Sequence, residues 1–192
     1  MSFKGWLELL KELSRLTGSL ELFDFDSPPL GGFVVNIDGY EASSSRLPWM
    51  SWSDWGWKAV VASMSDIVAG GGRPLAVLYS VGAPSRDVVL EVARGVGEAC
   101  RWAKVRMLKA DTNRSAHDTW IDVTVIGVTL KPIPRSGAKP GDILVQVGPL
   151  GYGLVASMAL RGLIDIREYP EAMEFTRRPR INLGVGLKIS EC

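Results

Sequence analysis

The chain has 192 residues, 46% of them hydrophobic and 22% charged, and its formal net charge is +1. This composition is typical of a soluble globular protein and lacks the basic excess that usually accompanies nucleic-acid binding. No stretch approaches the roughly 20 apolar residues that cross a bilayer, and the charged first helix is unlike a signal peptide. The two cysteines make no disulfide framework, which suits a reducing compartment. We therefore expect a cytoplasmic protein that binds neither nucleic acid nor a membrane.

The first elements predicted from hydrophobic spacing are a helix and a strand. Apolar residues recur at helical intervals from Phe3 to Leu16, and Gly18 can end that helix. Residues 33–37 read as a buried strand that delivers Asp38 at its end. The sequence thus places one carboxylate at the end of a strand.

A loop and a long helix come next. Residues 41–52 are rich in serine, proline and tryptophan, which predicts a loop, and Ser53 and Asp54 suit the beginning of a helix. This helix has one apolar face and one face of small residues, on which Asp66 is the only acid. Because small residues permit close approach, we expect the helix to be covered on both sides.

The rest of the chain alternates between strands and helices and then becomes helical. A strand at 75–81 precedes a helix capped by Ser85, and the strand after that helix runs into Asp111. That strand is predicted at 105–108, the remaining strands are 120–130 and 143–147, and the remaining helices are 153–163, 168–176 and 180–190.

The domain organisation follows from this order of elements. Residues 1–145 hold the predicted strands and two long helices, so we expect one α/β (α+β) domain. Helices dominate residues 146–192, which we interpret as the beginning of a second, truncated domain. We expect an active site shared between two such domains to be incomplete in this chain.

Several aspartates are candidate ligands for magnesium. Asp38 and Asp111 each follow an apolar strand, Asp66 lies on the small face of a helix, and a glycine- and proline-rich loop adds Asp24 or Asp26. Magnesium prefers oxygen ligands, and it neutralises phosphate charge during phosphoryl transfer. The alternative is that each aspartate serves only its own turn or hydrogen bond. Spacing alone does not decide between the two interpretations.

Six short stretches carry a resemblance to a known family. They are residues 36–38, 54–59, 64–74, 111–112, 135–142 and 178–180. Together, and in this order, they resemble the family that includes thiamine-monophosphate kinase, aminoimidazole ribonucleotide synthetase, selenophosphate synthetase and a hydrogenase maturation factor. The turn at 135–142 is similar to the form found in thiamine-monophosphate kinase.

The resemblance implies a fold and a reaction. The first domain is expected to be PurM-like, with a four-stranded sheet and flanking helices. That sheet would pair with the sheet of a second subunit into a barrel, so a homodimer is expected. ATP would lie near the interface, held through Mg²⁺ ions. In thiamine-monophosphate kinase the γ-phosphoryl group passes to thiamine monophosphate, which implies ATP and a small phosphorylated substrate as partners.

The resemblance also assigns roles by position. Asp38, Asp66 and Asp111 match metal-binding aspartates, and we expect their carboxylates within about 10 Å of one another, close enough to share hydrated magnesium ions. Arg135 matches an arginine that contacts ATP. Ala110 and Asp111 match the backbone stretch beside the phosphates.

This sequence departs from the family pattern at three places. A shortened loop supplies Asp24 and Asp26 in place of a paired-aspartate loop, and which of the two is a metal ligand stays open. Ser45 stands where the kinases carry a histidine that contacts substrate. Lys109 and Ala110 replace two glycines, and a side chain at 110 crowds phosphates that glycine lets approach.

Three functional interpretations therefore stay open. The first is a phosphoryl-transfer enzyme of the thiamine-monophosphate kinase type, represented by its first domain and the beginning of its second. The second is another ATP-using relative, such as the hydrogenase maturation factor. The third is a degenerate relative that dimerises and binds nucleotide without catalysis. The turn at 135–142 favours the first, and the replaced histidine and glycines favour the third.

Overall fold

Five strands form one mixed sheet in the computed structural model, which describes residues 3–19 and 24–191. The strands are β1 (Pro29–Leu30), β2 (Phe33–Glu41), β3 (Gly72–Ala83), β4 (Arg106–Arg114) and β5 (Trp120–Thr129). Their order across the sheet is β1-β2-β5-β3-β4, and among these neighbours only β3 and β4 run parallel. The α/β class is as predicted. The four-stranded sheet implied by the family resemblance is one strand short, because it lacks the two-residue β1, which is too brief to show a hydrophobic period.

Helices flank the sheet and continue to the end of the described chain. They are α1 (Phe3–Thr17), α2 (Ala42–Ser45), α3 (Trp52–Ala69), α4 (Arg86–Ala103), α5 (Tyr152–Leu160), α6 (Pro170–Arg177) and α7 (Val185–Ser190), with a 3₁₀ turn at Ile166–Glu168. The single turn of α2 lies where we predicted a loop. Within residues 3–19 and 24–191, no helix is both long enough and apolar enough to cross a membrane.

Helix α3 begins two residues earlier than the sequence suggested. Its N-cap is Ser51, whose hydroxyl accepts the backbone N–H of Asp54 at 3.0 Å. The Asp54 carboxylate accepts the backbone N–H of Ser51 in return, also at 3.0 Å. This reciprocal pair is a capping box, so Asp54 belongs to the first turn and Ser53 does not cap it. The cap predicted for α4, Ser85, is confirmed.

The strand predicted at 143–147 is wrong. These residues have no regular secondary structure, and the Ile143 and Leu144 side chains are 88% and 100% exposed. An apolar run becomes a strand only when a neighbouring strand takes up its backbone hydrogen bonds. No described strand pairs with this segment.

Helix α3 is buried on two sides, as its small residues predicted. The sheet contacts one side, where Met64 and Ile67 are fully buried, and α4 contacts the other. The two helices approach so closely that a Cβ on Gly95 would lie 1.8 Å from the carbonyl oxygen of Ser53. Only a residue without a side chain permits that approach, so the position of α3 is tightly constrained.

The C-terminal end of α6 and the residue that follows it are held against the first turn of α3 by a buried carboxylate. Asp54 is 3% exposed and accepts hydrogen bonds from Arg178 Nε at 2.6 Å and Arg177 Nε at 3.2 Å. Arg178 also donates to Glu98 on α4 at 2.7 Å. Burial opposes ionisation, but hydrogen bonds from Arg178, the capping backbone and Arg177 outweigh it and lower the pKa of Asp54 to about 2. The division at 145/146 stays a prediction.

Replacing Asp54 with alanine tests this attachment. Asp54→Ala removes the carboxylate half of the capping box and takes a buried partner from both Arg177 and Arg178, so the free energy of unfolding should fall by about 2–4 kcal/mol. Urea denaturation measures the change.

Asp165→Ala is the matched control. Asp165 also caps a helical turn and pairs with an arginine, Arg167, but does so at the surface. Its loss should leave the urea midpoint almost unchanged, because exposed ion pairs contribute little. Equal effects of the two substitutions would contradict the structural role given to Asp54.

Candidate functional site

Two carboxylates from different elements meet at one side-chain amide. Asn36 and Asp38 lie two residues apart on β2 and therefore point to the same face of the sheet, toward α3. The Nδ2 group of Asn36 donates to Asp38 Oδ2 and to Asp66 Oδ2, each at 3.0 Å, and also reaches the carbonyl oxygen of Ser63 at 3.3 Å. One strand and one helix thus deliver two acids to the same point.

The closeness of these acids changes how Asp66 titrates. Partial burial is the largest cause, and the negative charges of Asp38 and Asp26 add to it, so that the pKa of Asp66 rises to about 6. The hydrogen bond from Asn36 works in the opposite direction and is too weak to restore the ordinary value. A cation at this point would relieve the repulsion, which is the electrostatic condition for a metal site.

A cleft of about 390 Å³ lies in front of the two carboxylates. Asp26 and Arg135 line it on the side of the irregular loops, and Trp6 and Leu10 of α1 add an apolar wall. The Arg135 guanidinium pairs with Asp26, with Nε 2.9 Å from Oδ1, and its hydrogen bonds lower the pKa of that carboxyl. The cleft therefore has an anionic wall and a cationic group opposite.

Of the two acids in the shortened loop, only Asp26 faces the cleft. Asp24 contributes its backbone carbonyl, which accepts the N–H of Arg135 at 2.7 Å, and its side chain is not part of the lining. The geometry favours Asp26 as the acid nearer to any bound cation. Its assignment as a metal ligand stays a prediction.

The structure does not bring Asp111 to the other two acids within one chain. Asp111 is in register with Ser80 on β3 and, through it, with Asp122 on β5. Asp38 is in register with buried Val123, which points to the opposite face from Asp122. Asp111 is three strands from β2, or roughly 14 Å, and lies on the other face of the sheet.

The expectation that all three acids lie within about 10 Å is therefore wrong for Asp111 in a single chain. The β4 backbone places Ala110 and Asp111 together at an exposed sheet edge, where Asp111 accepts hydrogen bonds from Ser80 and Asn113. Sequence spacing was uninformative here because it does not specify which strands become neighbours. The ligand role of Asp111 stays a prediction.

The hydroxyl and carbonyl groups of Ser45 already form hydrogen bonds within the protein. Its hydroxyl donates to the Glu41 carbonyl at 2.6 Å and accepts the Trp55 indole N–H at 2.8 Å. Its own carbonyl oxygen accepts a hydrogen bond from Lys58 Nζ at 2.9 Å. A substrate would have to displace one of these partners to bond with the hydroxyl. Its role as a substrate contact stays a prediction.

Asn36 is the site residue that motif reasoning did not single out. It is 7% exposed, and Tyr40 on the same face donates to Asp38 Oδ2 at 3.3 Å. The sequence did contain a signal for Asn36, because it is a polar amide inside an apolar strand, two residues before an aspartate. A buried polar group requires hydrogen-bond partners, and the nearby aspartate is a candidate for one.

The donor set fits magnesium only in part. Within residues 3–19 and 24–191, no group of three or more histidine, cysteine or acidic side chains is arranged to hold a metal ion. Magnesium, however, is commonly held by one or two carboxylates together with phosphate oxygens and water. Asp38 and Asp66 match that smaller requirement, and each keeps its Oδ1 atom free of the Asn36 bond.

Curated relatives of this chain are thiamine-monophosphate kinases. The chain is 35% identical to that of Pyrobaculum calidifontis over 144 residues, covering 75% of this chain and 48% of the relative. It is 35% identical to that of Pyrococcus abyssi over 187 residues, covering 90% of this chain and 59% of the relative. The chain thus spans between about half and three-fifths of the length of these relatives.

Solved structures show the same fold. The structure of AaThiL complexed with AMPPCP and TMP superposes with a TM-score of 0.86 at 22% identity, covering 100% of this chain and 65% of the other. Residues 25–129 match the family model described as AIR synthase related protein, N-terminal domain. That match contains β1 to β5, α3 and α4, and with them the paired carboxylates of the site. The chain belongs to the AIR synthase related family and contains its N-terminal domain.

Proposed function

We propose that this chain carries the Mg²⁺- and ATP-binding part of a cytoplasmic phosphotransferase that acts on thiamine monophosphate. The observation that carries the proposal is the meeting of Asp38 and Asp66 at the Asn36 amide, at the edge of a cleft that Arg135 also lines. Two acids and one arginine in one cleft match what a metal–triphosphate complex requires.

The acidic pair would hold the metal. Asn36 orients both carboxylates through their Oδ2 atoms. The two Oδ1 atoms would bind the cation, which at Asp66 would replace a long hydrogen bond of 3.5 Å from Ser65 Oγ. Asp38 and Asp66 would hold Mg²⁺, whose positive charge would offset the negative charge of the phosphates during transfer. Asp26 is the second negative charge that acts on Asp66, after Asp38, and it would join these two acids around the cation once Arg135 turns away.

Arg135 would exchange one anion for another. In the free protein its guanidinium neutralises Asp26. An incoming triphosphate offers more negative charge and a geometry suited to the guanidinium fork. Arg135 therefore bonds to phosphate when nucleotide binds, and Asp26 becomes free for the cation. This exchange couples nucleotide binding to assembly of the metal site.

The acceptor is inferred from the relatives. The curated relatives are thiamine-monophosphate kinases, and a structural neighbour was solved with AMPPCP, an ATP analogue, and TMP. These names support thiamine monophosphate as the acceptor and the diphosphate as the product. Residues 146–192 are proposed as the beginning of the second domain.

A second candidate is nucleotide binding without phosphoryl transfer. Asp111 lies on the far face of the sheet, and the Ser45 hydroxyl is already occupied. In a single chain, the site therefore lacks the expected contact of Asp111 with the metal and the expected contact of Ser45 with the substrate.

We further propose that the protein is a homodimer joined through its sheet. The face of the sheet opposite α3 is apolar and only partly covered: Phe33 is 47% exposed and Ile37 is 66% exposed. The strand pairing shows that the same face of the sheet continues across β5 and β3. The residues of this open face are Phe33, Val35, Ile37, Leu78, Thr124, Ile126 and Val128. A second copy would cover it.

The nucleotide proposal is tested by thermal shift and by product formation. ATP with Mg²⁺ should raise the melting temperature, because a ligand at about 100 times its Kd stabilises by roughly 2.7 kcal/mol. Asp38→Asn should weaken this effect at least about tenfold in ATP concentration, while Asp87→Asn on α4 should not. Formation of thiamine diphosphate from thiamine monophosphate, followed by chromatography, tests transfer.

The outcomes separate the two candidates. Mg²⁺-dependent binding together with thiamine diphosphate formation supports the kinase. Binding without product favours the second candidate. An ATP effect that persists in EDTA or in Asp38→Asn contradicts the metal site.

Asp66→Asn should stabilise the metal-free protein above pH 6. The folded-state pKa of Asp66 is about 6 against an ordinary value of 3.8, so folding favours its protonated form. The unfavourable contribution is absent below about pH 4, grows as the pH rises toward 6, and is complete above it. After allowance for screening at this half-buried side chain, the gain at pH 7.5 should be on the order of 1 kcal/mol.

Urea denaturation at pH 4 and pH 7.5 in EDTA measures this effect. Asp87→Asn, at an exposed helix end, is the control and should show no gain that grows with pH. A metal-free Asp66→Asn protein that is less stable than wild type at pH 7.5 would show that the carboxylate has a compensating partner.

A substitution that introduces one charge on the open face tests the proposed dimer. Ile37→Glu should convert a micromolar dimer into a monomer, because it would bury an unpaired carboxylate in an apolar interface. Leu90→Glu, on the partly exposed side of α4, should leave the dimer intact. Multi-angle light scattering measures both. A wild-type monomer at micromolar concentration would contradict the proposal.

A further inference from the structure

Lys58 on α3 is a half-buried cation with almost no compensation. Its ammonium group donates to the carbonyl oxygen of Ser45 at 2.9 Å. Among residues 3–19 and 24–191, no carboxylate lies within ion-pair distance of it, although α3 also carries Asp54 and Asp66. The single neutral carbonyl leaves two N–H donors of Lys58 without a protein partner among these residues.

Lys58 lines a cavity between α3 and the C-terminal helices. The cavity has a volume of about 340 Å³, and Lys58 is its only charged lining residue among those described. The other walls are mostly apolar, with Leu47 beside α2, Ala156 and Leu160 on α5, and Phe175 on α6. Its size is at the lower end of the range for small-molecule sites, which is about 300–1,000 Å³.

Burial in these surroundings disfavours the charged form of the lysine. Loss of hydration lowers the pKa of Lys58 below its ordinary value. A cation held this way gains strongly from an anion, because the surrounding side chains are of low polarity and screen the attraction less than water does. The apolar walls at the same time favour a ligand with a hydrocarbon body.

We infer that this cavity binds a small organic anion, whose carboxylate or phosphate head group pairs with Lys58 and whose apolar body lies against α5 and α6. The site is distinct from the paired acids, because Lys58 precedes Asp66 by eight residues, or roughly 12 Å along the helix. It requires neither ATP nor magnesium. The inference therefore does not depend on the proposed kinase function.

Two tryptophans report on the cavity. The indole N–H of Trp49 donates to Thr176 at 3.2 Å, and that of Trp57 donates to the carbonyl of Pro179 at 2.8 Å. Thr176 and Pro179 both line the cavity. A ligand that fills it should shift these two indole resonances in ¹H–¹⁵N spectra.

The test titrates the 192-residue chain with butyrate, butyl phosphate and uncharged 1-butanol. At least one of the two anions should shift the Trp49 and Trp57 signals saturably and bind at least about tenfold more tightly than butanol, because a charge-assisted hydrogen bond is added. Comparison of butyrate with butyl phosphate shows which head group the site prefers.

Three variants locate the binding. Lys58→Met removes the charge and should weaken anion binding at least about tenfold while leaving butanol binding nearly unchanged. Ser157→Leu should block the cavity and weaken all three ligands while keeping Lys58, which covers the case in which Lys58→Met fails to fold. Lys11→Met removes an exposed charge on α1 and should have no effect.

The inference is overturned if neither anion shifts the two indole signals saturably, if butanol binds as tightly as both anions, or if anion binding survives in both Lys58→Met and Ser157→Leu. Loss in both of these variants with retention in Lys11→Met supports it.

Discussion

The burial of α3 between the sheet and α4 is the constraint on which the rest of this structure depends. Close approach at Gly95 leaves the helix no freedom to slide or rotate. Three of the charged groups discussed above lie on that helix: Asp54 in the first turn, Lys58 one turn later and Asp66 near its end. The backbone of α3 therefore determines where each charge is presented, and the neighbouring elements determine how each is compensated.

These three charges show three different degrees of compensation. Asp54 receives two arginines and a backbone N–H, so it is ionised and holds the C-terminal segment in place. Lys58 has one carbonyl oxygen, and Asp66 faces the like charge of Asp38. Full compensation is what a structural contact requires. Incomplete compensation leaves electrostatic free energy that a ligand of the opposite charge can recover.

The fold places the proposed catalytic parts on both faces of one sheet. The paired acids lie on the side covered by α3, whereas Asp111 lies at the β4 edge on the open side. Covering the open face with a second copy would enclose the surface that Asp111 shares. The oligomeric state and the completeness of the site are therefore linked questions, and both depend on the partly covered apolar surface around Ile37.

The sequence by itself determined the class of fold, most of the helices and strands, and the family. Hydrophobic periodicity reports burial along a single element, which is why α3 and α4 were predicted close to their observed bounds. Strand β2 extends four residues beyond the predicted 33–37, so Asp38 lies within the strand and not at its end. Periodicity also predicted that Asp38 and Asp66 would be presented from two different elements. It could not distinguish residues 143–147 from a strand, because strand formation depends on a partner elsewhere in the chain.

Tertiary structure alone decided which charges meet. Strand order separated Asp111 from Asp38, and the pleat put the two on opposite faces, neither of which is encoded in local spacing. The same packing placed Asn36 between two acids and gave Asp54 its arginines from 123 and 124 residues away. It brought Lys58 to a carbonyl oxygen and, in the part of the chain that the structure describes, to no acid. Electrostatic interactions act through space at a few ångströms, whereas sequence patterns describe neighbours along the chain, so the chemistry of the site became visible only in the folded protein.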